Sequence, residues 1–312
     1  MDAIKNVGYA GGVVFEWMDE WAKKTWTTEP FMIPYDRHVF WHNMIDPEQN
    51  YGLMAMESIP PETDEYAQFG SKSLKSITMK HDSSYLYLKV NVSPMIDFSK
   101  EELRIGLDTY MRSKGEIKFL SDGETKAPFG MEFQIVIDSN KTAKLLVQPE
   151  YNITNNKFSS VYKNSGTFEE MYMLINNECV TKNGNKISAI YTDCSTLKYG
   201  SFNDNSHYQW YIDGNDICFR IPWNRINFTD PSRMMVLDHN SLFTEMSQDK
   251  FNTIKSEGIM ISALIYNKTN NEKIDLLSTE KPFIWNEWSD VRYQERLKKS
   301  YYIIQAYFKK LK

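Results

Sequence analysis

The sequence predicts a mainly β chain: an antiparallel β-sandwich of jelly-roll type, with a buried strand before it and an α-helix after it. Three observations predict this. Short segments of alternating apolar and polar residues recur between about 64 and 285, separated by turn-rich links, the pattern of sandwiches. A continuous apolar run, Val13 to Phe15, lies near the start. An apolar stripe at helical spacing, Tyr293, Leu297, Tyr301, Ile304 and Phe308, lies near the end.

Without alternation, the run at 13 to 15 reads as a strand buried on both faces. It turns acidic and aromatic at Glu16, Trp17, Asp19, Glu20 and Trp21 with no intervening turn. Carboxylates and tryptophans at the C-terminal end of such a strand mark where barrel enzymes place their chemistry. An ordinary buried strand followed by a polar loop fits the same residues. Between 22 and 60, Pro30, Pro34, Pro47, Pro60 and Pro61 exclude long regular elements. Trp26, Asp36, Arg37, His38, Trp41 and His42 lie in this stretch. His38 and His42 have the i, i+4 spacing of a helical metal pair, but no third ligand follows, so a loop-packing role is preferred. The double proline at 60 and 61 divides a connector, 1–60, from a sandwich domain, 61–288.

Within the sandwich, Leu74 to Met79 alternates apolar Leu74, Ile77 and Met79 with polar Lys75, Ser76 and Thr78, and His81-Asp82-Ser83-Ser84 makes a turn. Tyr85-Leu-Tyr-Leu-Lys-Val-Asn-Val is an aromatic and β-branched strand. Leu103 to Asp108, Met131 to Ile137, Ala143 to Val147, Met171 to Ile175 and Asp216 to Trp223 follow, then the apolar run Gly258 to Tyr266. Stretches 149–168 and 191–215 read as long insertions. Tyr199, Phe202, Tyr208, Trp210 and Tyr211 in the second either line a sugar site or pack under the loops. From 289 to 311 the pattern is a helix, capped by Ser289 and ended by Lys309, Lys310 and Lys312, predicted to lie on the strand at 12 to 17.

The 312 residues suffice for one large or two ordinary domains. A formal net charge of −5 without any basic block argues against nucleic acid. No apolar run approaches the ~20 residues of a membrane span. Three cysteines, at 179, 194 and 218, form no disulfide framework. With no apolar leader after Met1, they point to the cytoplasm. The sequons Asn152-Ile-Thr and Asn227-Phe-Thr read as chance in an Asn-rich chain. Aromatic residues reach 14%. Such rings stack on sugar faces or fill sandwich cores.

Gly11, Gly12, Val13 to Phe15, Trp17 and Asp19 resemble the eighth barrel strand of the glycoside hydrolases related to β-galactosidase and β-glucuronidase. Asp2 to Ala10 looks like the tail of the preceding helix, stopped at Gly8. Arg296 to Ile304 resembles the final barrel helix, with Ser300 after Lys299 and without the family's proline. The resemblance implies an N-terminal barrel-strand remnant belonging to a larger polypeptide. The family's catalytic glutamates would lie before residue 1, so none carries over. Glu16 to Trp26, Asp36-Arg37 and Trp41 also look like a bacterial group described as glycosyltransferase-like or hydrolase-like.

From 64 to 228 the order of features is similar to family-9 carbohydrate-binding modules and dopamine-monooxygenase-like domains. The matching features are Ile77 to Asp82, Tyr85-Leu-Tyr-Leu, Ile105-Gly-Leu-Asp108, Phe133-Gln-Ile-Val-Ile and Phe219-Arg-Ile-Pro-Trp. In that family the Ile-Pro-Trp ends a core strand and starts a helical turn. The implied function is a non-catalytic, carbohydrate-associated sandwich with substrate-facing Glu16, Trp17, Asp19, Glu20, Trp26 and Trp210. Calcium at Asp108 is a further implication. Two readings stand beside it. One is a purely structural accessory domain. The other is a hydrolase using Asp19 and Glu20, or Asp36 with His38, as acid and base. Neighbouring strand residues face opposite ways, which lowers the Asp19–Glu20 version.

Overall fold

The computed structural model describes residues 1–59, 65–120, 124–154, 165–238 and 252–310. The predicted boundary at Pro60-Pro61, the middle of the 149–168 stretch, and Lys312 lie outside the described residues.

Two antiparallel sheets form the sandwich. In space, the five-stranded sheet runs Trp210–Asp213, Asp216–Pro222, Tyr85–Val92, Leu74–His81, Glu65–Phe69. The six-stranded sheet runs Thr196–Leu197, Thr142–Val147, Phe133–Ser139, Glu101–Asp108, Met260–Asn267, Glu272–Ser278. Alternation decides which side chains point inward. Leu86, Leu88, Val90 and Val92 of one sheet meet Leu103, Ile105 and Leu107 of the other in one apolar cluster. The run at 260 to 266 lacks alternation because the six-stranded sheet is covered on its outer face too. There Phe119, Phe129, Met131 and Phe168 pack on Leu264 and Tyr266. Gly106 makes this cover fit, since a Cβ at that position would lie 1.8 Å from Met131 Sδ.

The strand Asp216–Pro222 ends at its proline, and Trp223–Ile226 follows as a 3-10 turn. Trp223 is fully buried, and its Nε1 donates to the Asp82 carbonyl at 3.0 Å. It packs with Phe228, Phe283 and Trp285 in an aromatic block that also holds His81. The stretch 191–215 is less of an insertion than predicted, because Thr196–Leu197 and Trp210–Asp213 are edge strands of the two sheets. The Asn152 and Asn227 sequons are buried. All three cysteines are free.

The two ends of the chain correct the sequence reading most. No strand forms over 12–17: residues 10–15 carry no sheet pairing, and Val13 is 98% exposed. An apolar run forms a buried strand only where neighbouring strands flank it, and none does here. At the other end, the predicted helix divides. Its first part, Tyr293–Leu297, is a strand pairing antiparallel with Met54–Ser58, Met54 opposite Leu297 and Ser58 opposite Tyr293. Only Lys299–Lys309 is helical, starting after Lys298 rather than at a Ser289 cap. This closing ribbon joins the connector to the end of the chain. Arg37 then fixes the connector to the sandwich, with Nε donating to Asp230 Oδ2 and Nη2 to Ser232 Oγ, each at 2.8 Å. Among the described residues no helix is long and apolar enough to cross a membrane.

Candidate functional site

Residues 16–19 lie alongside the ribbon instead of in a barrel. Leu53 N donates to Glu16 O at 2.9 Å and Met54 N to Trp17 O at 2.8 Å, while Asp19 N donates to Met54 O at 3.0 Å. The approach needs Gly52: a Cβ there would sit 2.3 Å from the backbone of Met18 and Asp19. Lys298 N donates to Leu53 O, which starts the C-terminal helix beside the same segment. A cleft of about 340 Å³ remains between them, lined by Trp17, Leu53, Tyr301, Ile304, Gln305, Phe308 and Lys309. Trp17 meets Tyr301 edge-on at 6.0 Å between ring centres. Trp17 thus lies beside the last helix, with Tyr301, Ile304 and Phe308 of the stripe lining the same cleft.

The carboxylates of the segment are neutralised. Asp19 is buried; its Oδ1 accepts from Gly52 N and from Lys298 Nζ. Burial pushes its pKa above the usual carboxylate value, against the pull of Lys298. Glu16 and Glu20 share Lys23, whose ammonium also lies 4.1 Å from the centre of the Phe15 ring. Lys23 holds the Glu20 carboxyl below its ordinary value. Asp19 and Glu20 therefore have separate ion partners, Lys298 and Lys23.

Behind the segment, Trp21 is buried and stacks on His42 at 5.0 Å. His42 Nε2 faces Asn50 Oδ1 at 3.0 Å and Nδ1 faces Ser84 Oγ at 3.2 Å, partners that assign the proton to Nε2. Burial pushes the His42 pKa down to about 3, helped by Lys298 and opposed by the Asn50 bond. The ring nitrogens of His38 face the carbonyls of Tyr35 and Ala22, while Asp36 is exposed, so these two do not form the acid–base pair considered from sequence. Trp26 is 66% exposed on a loop held by Asp46, whose Oδ2 accepts from Thr25 N at 2.9 Å and Thr28 Oγ1 at 2.7 Å.

Trp210 is a correction. It is fully buried, with Nε1 donating to Leu197 O at 3.0 Å and its ring against Tyr199 and Phe219, so no face is open to a sugar. It lies on an edge strand, where an inward side chain joins the core. Phe202 and Tyr211 pack on one another, with Arg220 over Phe202, so these rings also serve packing. Asp108, the calcium candidate, is fully buried and gives Oδ2 to Arg112 at 2.7 Å. A guanidinium in that position does not suit a cation site. Among the described residues no group of three or more His, Cys, Asp or Glu is placed to hold a metal.

Sequence reasoning missed Gly52, Lys298 and Glu132. Lys298 lies in a lysine-rich stretch that reads as helix surface. Glu132 had a signal: a lone acid between the apolar runs at 131 and 133. No protein family, curated protein or solved structure matches this chain.

Proposed function

We propose that this chain is a non-catalytic, carbohydrate-associated sandwich unit of a larger, glycoside-hydrolase-like polypeptide. The cleft at Trp17 would be its sugar-facing surface. The observation that carries the reading is the cleft lining: the rings of Trp17, Tyr301 and Phe308, with the Gln305 amide and the Lys309 ammonium among them. A pyranose ring has an apolar face for the aromatic rings and hydroxyls for the polar groups. The ion-paired state of Glu16, Asp19 and Glu20 supports a binding role over hydrolysis.

Thermal denaturation of the purified chain against a panel of mono- and oligosaccharides tests this. A specific sugar raises the midpoint by mass action. The rise should vanish in Trp17→Ala, with the midpoint of the free protein changed little. A flat panel on a cooperatively folded protein removes the carbohydrate assignment. It would leave the second reading, a structural unit that docks through its ends. The exposed apolar residues Val13, Phe15, Tyr302 and Ile303 favour that reading.

A further inference from the structure

Two buried carboxyls, Asp108 and Glu132, lie where the central strand Glu101–Asp108 ends. Glu132 sits between the strands Lys126–Met131 and Phe133–Ser139, with its N–H donating to Leu107 O at 3.0 Å. Its side chain turns toward the residues that follow Asp108: Thr109 N donates to Glu132 Oε2 at 2.8 Å, and the Tyr110 N–H lies beside both carboxyls. Both acids are buried, Asp108 fully and Glu132 to within 1%. Each has one oxygen supplied with a donor: Arg112 Nη1 for Asp108 Oδ2, Thr109 N for Glu132 Oε2. The other oxygens, Asp108 Oδ1 and Glu132 Oε1, have no hydrogen-bond partner among the described residues. A buried acceptor without a donor costs about 1–3 kcal/mol, more when charged.

Among the described residues, the groups around the pair include one cation, Arg112. Arg112 faces Asp108 and donates through Nη2 to the Glu257 and Gly258 carbonyls at 2.8 and 2.9 Å. The Glu257 carboxyl accepts from Arg112 N at 3.0 Å and adds negative charge. Tyr110 donates its hydroxyl to Asp238, and Tyr151 donates its hydroxyl to Leu237 O. Two buried carboxylates against one guanidinium leave a net negative charge in the interior. Burial raises both carboxyls above the usual range, and the Asp108 charge raises Glu132 further.

We propose that Asp108 and Glu132 share one proton, a carboxyl–carboxylate bond joining the two orphaned oxygens, and that this bond is a pH-sensitive latch on the turn carrying Arg112. The added proton makes one acceptor a donor to the other, so one event satisfies both. Losing it to solvent places two charges side by side, which loosens the turn at 109–112 from the segment at 256–258. The folded state retains a proton that the unfolded chain releases near pH 4. The latch therefore stabilises the fold fully below that value and progressively less as pH rises, by up to tenfold in the folding constant per pH unit.

The test is denaturant unfolding of the whole chain and of Glu132→Gln between pH 5 and 8, read as the ratio of their folding constants. The amide introduced by this substitution imitates the protonated acid permanently, donating to Asp108 Oδ1 at any pH. The variant should gain on the parent by at least tenfold across this range, and the infrared carboxylic-acid band of the parent should be absent from it. Asp108→Asn, measured the same way, carries the test if Glu132→Gln does not fold. A ratio constant within about twofold, with the infrared band unchanged, overturns the proposal. So does a midpoint raised by added calcium in the parent alone, because the pair would then hold a cation instead of a proton.

Discussion

The sandwich and the joined ends of the chain use tryptophan differently. In the sandwich, Trp210, Trp223 and Trp285 are core residues inside a continuous apolar cluster. At the ends, Trp17 and Trp26 face solvent while Trp21 and Trp41 are buried, and the backbone beside the exposed pair is held by polar contacts and by the missing side chain of Gly52. The sandwich coheres through area removed from water, which many residues share. The ends depend more on particular contacts, Asp19–Lys298, Arg37–Asp230 and the close approach at Gly52, beside the backbone pairing of the ribbon. Loss of a core side chain should therefore lower the stability of the whole sandwich, whereas loss of one pin should release a segment.

Three substitutions sharpen or break that contrast. Trp223→Ala should lower global stability most, by about 3–5 kcal/mol, because it empties the aromatic block and strands the Asp82 carbonyl. Urea unfolding of the sandwich measures this; a loss under ~1 kcal/mol would mean that the block is dispensable. Arg37→Ala leaves the buried Asp230 without its cation, and about 3 kcal/mol should be lost. Limited proteolysis should then cut residues 22–45 while the sandwich stays intact. A sandwich that unfolds with them would show that the two regions are one cooperative unit. Gly52→Ala should cost least, ~1–3 kcal/mol, and locally, because its Cβ pushes residues 18–19 off the ribbon. Hydrogen exchange should rise at Leu53 and Met54, with the sandwich midpoint unchanged.

The same contrast decides what was legible in the sequence. Tyr85–Val92 and Glu101–Asp108 could be read because side-chain period and core face coincide along each strand. Tyr293 to Leu297 could not. Tyr293 and Leu297 suit a helix at i, i+4, yet Tyr293, Glu295 and Leu297 also alternate, and the choice rests with Met54–Ser58, far away in sequence. Val13 to Phe15 failed for the reverse reason: its apolar character was legible, but the absence of flanking strands was not. Of the candidate site, Trp17 and Asp19 were found from their chemistry. Gly52 and Lys298 act by fitting against them, which spacing does not reveal.

The closing ribbon also sets a timetable. Met54 pairs with Leu297, about 240 residues later. At ~5–20 residues per second of synthesis, the first half of the ribbon waits on the order of ten to fifty seconds for the second. Throughout that interval Trp17 has no Tyr301 beside it and Asp19 has no Lys298. The sandwich strands between them, being nearer neighbours in sequence, can pair first and bring the two ends close. Closing the ribbon is then a late event, and the strand Met54–Ser58 must stay out of wrong pairings until it happens.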